Sequence, residues 1–138
     1  MREIKFRGKL KEKGMSGWIE GSLVHITRTY KGEEDEQECD IYQIINEDGV
    51  GFFIDKETIG QFTGLHDENG KEIYEGDIVK ADWFNRDEVI GEICFSMGCF
   101  ILANSSVSDN QLFIFKSFEV IGNIYENPEL LKGADNIE

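Results

Sequence analysis

The sequence predicts a mainly β protein of short, glycine-punctuated strands and hairpins, with a small SH3-like barrel in its C-terminal half and a short C-terminal helix. Three observations carry this. Fifteen glycines stand against one proline, Pro128, which is the composition of many strands joined by tight turns. Apolar residues at 40% and aromatics at 12% of 138 residues suffice for a packed core. The opening run alternates with a strict period of two, as a half-buried strand does.

That run, Ile4 to Lys11, sets Ile4, Phe6, Gly8 and Leu10 on one face and Lys5, Arg7, Lys9 and Lys11 on the other. Gly14 breaks it before a second strand around Trp18 to Thr27, with Gly17 and Gly21 as turn or bulge points. Lys31 to Asp40 lacks apolar periodicity and holds five carboxylates in the six residues Glu33 to Glu38, so an exposed, mobile loop is expected there. Ile41 to Ile45 and Val50 to Ile54 flank Asn46 to Gly49, whose Asp48-Gly49 pair signals a hairpin. Asp55 to Ile59 reads as one helical turn capped by Asp55.

A second hairpin is expected at Asp67 to Gly70, with Asn69 and Gly70 supplying the positive dihedrals of a type I′ turn. Ile78, Val79, Ala81 and Trp83 then begin the compact C-terminal unit. Val89 to Ser96, Cys99 to Asn104, Leu112 to Phe115 and Phe118 to Tyr125 follow as strands, separated by Gly98, by the polar run Asn104 to Gln111, and by Lys116 and Ser117. Asn127 and Pro128 cap and start a short helix through Leu131. The segments are 1–59, an N-terminal β segment with a basic first strand and an acidic loop; 60–131, a turn plus small barrel; and 132–138, a frayed tail. They are expected to fold as one cooperative unit.

Three blocks, REIKFRG from Arg2 to Gly8, GQFTGLHDENGKEIYEGDIV from Gly60 to Val79, and EVIGNIYENPELL from Glu119 to Leu131, resemble the YopX family of small phage and prophage proteins. They lie at both ends and the middle, so the resemblance spans nearly the whole chain. It implies a phage or prophage setting and a bacterial host cell. It carries over no catalytic residue, because the family has no established catalytic motif.

The formal charge is −14, which sets the body against nucleic acid phosphates and anionic lipid. The charge is segregated: residues 1–13 hold six basic groups against Glu3 and Glu12, leaving −18 on the remainder. The row Lys5, Arg7, Lys9 and Lys11 therefore points to contact with an acidic protein surface in this subunit, a neighbouring copy or a partner. The bland alternative is a solvated strand face. Trp83 and Phe84 are the second candidate, since strand alternation turns one of them outward. Tyr30, Tyr42, Phe53 and Phe100 are not assignable to core or surface from sequence.

Sites for chemistry are poorly supported. A calcium loop with Gly70 at its sixth position would need acids where Leu65 and Gly76 stand. A zinc shell would need His25 and Cys39 to join Cys94 and Cys99 from the other half of the chain. Three cysteines suit free thiols in a reducing compartment. His25 and His66 have no partner that local sequence positions, and no glycine cradle precedes a helix and lysine. Carboxylates such as Glu72, Glu75 and Asp77 form the residual case for acid–base catalysis.

The function expected is that of a non-enzymatic phage or prophage accessory protein working through protein contacts, as a homo-oligomer or with a host or phage protein. No cofactor and no metal are expected. The chain is expected in the cytoplasm, since no apolar run is long enough to span a membrane and charges occupy the place of a signal peptide. The alternative is nucleic-acid-linked regulation, either by DNA or RNA bound on the basic strand or by an acidic body that mimics nucleic acid.

Overall fold

A computed structural model describes residues 2–12, 14–83, 88–104 and 107–135. Among these residues ten strands are formed: β1 Phe6–Leu10, β2 Trp18–Lys31, β3 Glu36–Ile45, β4 Gly51–His66, β5 Glu72–Tyr74, β6 Asp77–Trp83, β7 Glu88–Ser96, β8 Cys99–Asn104, β9 Val107–Gln111 and β10 Phe115–Asn123. A 3-10 turn at Leu112–Ile114 and helix α1, Glu129–Asp135, complete them. The mainly β class and the C-terminal helix are as the sequence predicts. The chain forms two compact units and passes from one to the other within β4, after Gln61.

In the first unit β1 pairs antiparallel with both β2 and β4, and β3 joins β2 to β4. The four strands thus close a ring, which removes the sheet edges over the paired segments. Closure depends on two glycines. A Cβ on Gly8 would sit 2.7 Å from Ile54 Cδ1, and one on Gly21 would strike the Ile45 carbonyl. Ile44 and Ile54, both buried, fill the interior.

Residues 55–59 are not a helical turn. They form a bulge within β4, where the β1 register steps from Arg7↔Gly60 to Lys9↔Asp55, five residues of one strand against two of the other. Asp55 does cap, but it caps the bulge: Glu57 N donates to its Oδ1 and Thr58 Oγ1 donates to its main-chain oxygen. Thr58 Oγ1 in turn accepts Lys9 N at 2.8 Å. Ladder pairing with β1 outweighs the local helical preference.

The acidic segment is likewise corrected. Only residues 32–35 form the turn, closed by Gly32 N to Asp35 O at 2.8 Å. Residues 36–40 belong to β3 and pair residue for residue with β2 from Lys31↔Glu36 to Thr27↔Asp40. Val24, Ile26, Thr27, Thr29 and Tyr30 supply β propensity on one strand, so backbone pairing needs no buried face. All of residues 25–40 are exposed.

Two turns share one device. Asn46 Oδ1 accepts the amides of Asp48 and Val50, and Asp67 Oδ1 accepts those of Asn69 and Lys71. Gly49 and Gly70 have positive φ, but Asn69 does not, so the second turn is not type I′. The type I′ turn instead joins β7 to β8, where Met97 (φ 52°) and Gly98 (φ 83°) are both positive.

The second unit holds a five-stranded sheet in the order β10-β6-β7-β8-β9, with the 3-10 turn before the last strand. This is the strand order expected of an SH3-like barrel. Its core is Ile73, Val79, Ala81, Ile93, Leu102, Leu112, Phe115 and Phe118. The segment Leu112 to Phe115 is mostly the 3-10 turn rather than a strand, and the polar run before it contains β9. That polar strand forms because β8 offers a ladder, Leu102↔Asn110 and Ile101↔Gln111. The helix α1 runs on through Asp135, past the Leu131 limit read from the sequence.

Candidate functional site

The predicted basic row lies on β1, an internal strand of the ring. Arg7 is buried, with its guanidinium carbon 4.8 Å above the Trp18 ring, a cation–π contact. Lys5 Nζ lies 3.1 Å from Glu3 Oε1 and 3.9 Å from Glu20 Oε2. Lys9 is half-buried and Lys11 is exposed. The row is therefore not one open cationic face: Trp18 of β2 lies against its middle and carboxylates of the same unit meet Lys5.

Of the aromatic candidates, Phe84 lies outside the described residues, and Trp83 is placed by its backbone as the last residue of β6. Tyr30 and Phe53 are exposed, whereas Tyr42 and Phe100 are half-buried.

The surface that stands out is the outer part of the β2–β3 hairpin. Its paired strands expose both faces over residues 25–40. It also exposes both edges, because β1 pairs β2 only over residues 18–21 and β4 pairs β3 only over residues 43–45. Residues 27–40 carry Arg28 and Lys31 against six carboxylates. An isolated two-stranded hairpin is marginal in water, so cross-strand side chains must hold this one.

They do so chiefly at its base. The His25 and Tyr42 rings, directly opposite in register, stack at 4.4 Å and 6°. His25 Nε2 and Thr27 Oγ1 lie 3.0 and 2.9 Å from Asp40 Oδ1. The contact with His25, and then that with Thr27, holds the Asp40 carboxyl below the usual carboxylate range. This partner of His25 is fifteen residues away in sequence, and only the hairpin register reveals it. Cys39 falls on the opposite face of β3 from Asp40 by alternation, so the three do not form a nucleophile–base–acid set.

Where β3 leaves β4, a groove of about 510 Å³ opens. It is lined by residues 38–42 on one side, residues 53–57 on the other, and Lys11. Other sequence candidates stay apart. None of the three cysteines is in a disulfide. Asp77 is buried and accepts Tyr74 N at 2.8 Å, a turn contact. Asp67, also buried, accepts Val120 N on Oδ2. His66 packs edge-on against Phe62. Among the described residues no helix is long and apolar enough to cross a membrane.

The fold is shared with a solved structure: the crystal structure of protein EF1440 from Enterococcus faecalis superposes with a TM-score of 0.53 at 24% identity, covering 95% of this chain and 99% of that one. No curated protein matches. The family described as YopX protein matches residues 5–132, from within the basic opening run to within α1. With nearly the whole length matched, the chain belongs to the YopX protein family.

Proposed function

We propose that this chain is a phage or prophage accessory protein that works through protein contacts and has no catalytic activity of its own. The observation that carries this is the β2–β3 arm. Of the fourteen-residue β2 and the ten-residue β3, the part over residues 25–40 extends beyond the ring with faces and edges open, although such a ribbon contributes little buried area to its own unit. Exposed strand edges are ordinarily shortened or covered, and an arm that does neither suits a contact made elsewhere. Its negative charge favours a basic protein surface and disfavours nucleic acid.

The basic row gives little support to direct nucleic acid binding, since Arg7 is buried and Lys5 faces Glu3 and Glu20. Self-association remains within the proposal, as do the cytoplasmic setting and a host or phage partner.

The test is a tagged chain expressed in host cells and compared with a variant whose arm is shortened by removing residues 28–39. A partner in fixed ratio with the full chain and absent from the shortened one is expected. Equal recovery with both chains would contradict the reading. Light scattering at low and high salt reports self-association separately.

A further inference from the structure

We infer that the groove between β3 and the β4 bulge is a strand-addition slot that takes an extended, lysine- or arginine-bearing segment of a partner protein. The inference rests on the protein-contact reading above and names where and how the partner docks.

Geometry is the first support. The β3–β4 ladder covers Gln43↔Phe53 to Ile45↔Gly51 and stops. Beyond it β4 turns to β1, pairing Leu10↔Ile54 and Lys9↔Asp55, while β3 continues with β2 alone. The two strands part, and the groove lies in the gap. Side chains of a strand alternate between faces, so five consecutive residues, 38–42, can line one groove only where it runs along the main-chain edge. That edge is what an added strand pairs with.

Chemistry is the second, independent support. Glu38, Asp40, Asp55 and Glu57 line the groove against Lys11 and Lys56, a net negative wall. Phe53, 45% exposed, and Tyr42 provide apolar contact. A strand with basic residues on one face and a branched apolar residue on the other satisfies both walls. A second copy's acidic arm does not, because five carboxylates within residues 33–38 would be brought together.

The test uses the full chain and a fluorescent eight-residue peptide of alternating lysine and valine. A second peptide carries the same side chains with alternate main-chain nitrogens methylated, which removes ladder donors but keeps charge and apolar area. We expect saturable binding of the first, about tenfold or more weaker binding of the second, and slowed amide exchange confined to residues 36–42 and the facing part of β4. The charge reversals E38K and E57K, on exposed side chains, are expected to weaken the first peptide by a similar factor.

Failure to bind, equal binding of both peptides, or exchange unchanged at residues 36–42 would overturn the slot. So would concentration-dependent dimerisation that protects the same residues without peptide, which would assign the slot to a second copy. An arm-dependent partner recovered from host cells alongside a negative peptide result would leave the protein-contact reading standing and remove the slot alone.

Discussion

Asp67 shows how one side chain can organise a turn and a distant strand together. Burial alone would push its carboxyl up, but amide donors from Val120, Lys71 and Asn69, with the Lys71 charge, more than offset that and hold it below the usual range. A depressed carboxylate pKa contributes stability that is complete above the unfolded value and lost as pH falls through the folded one. Asp67→Ala is therefore expected to cost about 2–3 kcal/mol at neutral pH. The gap between it and the parent should narrow as pH falls below about 4, as read by urea denaturation across pH. Met97 is the opposite case: fully exposed and at φ 52°, it carries a Cβ where glycine is preferred. Met97→Gly should gain ~0.5–1 kcal/mol, measured the same way. Neither role was legible locally. The Asp67 turn is visible as a turn, but its bond to Val120 crosses 53 residues, and Met97-Gly98 lacks the asparagine or aspartate that marks a type I′ turn.

At the scale of elements, ring closure explains what sequence pattern reached and what it missed. Period two placed β1, and the Asp48-Gly49 turn signal placed the β3–β4 hairpin, because both signals are local. The β1–β4 pairing is non-local, and with it went the fate of the basic row. A lysine-and-arginine face looks solvent-facing in one strand, yet Arg7 is buried with its guanidinium over the Trp18 ring of the neighbouring β2. The acidic segment misled for the reverse reason. A ribbon held by backbone pairing and a few cross-strand contacts requires no apolar periodicity. Gly21→Ala tests the closure. Its Cβ would meet main-chain atoms of Ile45 rather than a yielding side chain, so a loss of about 1–3 kcal/mol is expected. Chemical denaturation followed by tryptophan fluorescence in a Trp83→Phe background, which leaves Trp18 as the reporter, measures it, and a change under about 0.5 kcal/mol would argue against tight closure. The arm should behave differently. Shortening it by residues 28–39 is expected to leave the midpoint of thermal unfolding within about 3 °C, since those residues are exposed.

For the whole molecule, charge and exposure are the two observations behind the proposed contact with another protein. The −14 total repels phosphates and anionic lipids at long range, and the hairpin concentrates negative charge on an element with open edges. The segregation of charge seen in the sequence survives in a changed form. Its positive end is largely absorbed into the ring, whereas the acidic hairpin remains on display. The SH3-like order of the second unit was legible from strand spacing and glycine punctuation, and family membership from three separated blocks. The extended β2–β3 arm was not, because its exposure follows from what fails to pair with it. Native mass spectrometry of the tagged chain isolated gently from its host cells tests this most directly. The account predicts one defined complex with a protein partner for the full chain and none for the chain lacking residues 28–39. The same complex for both chains, or an unpartnered monomer for both, would contradict it.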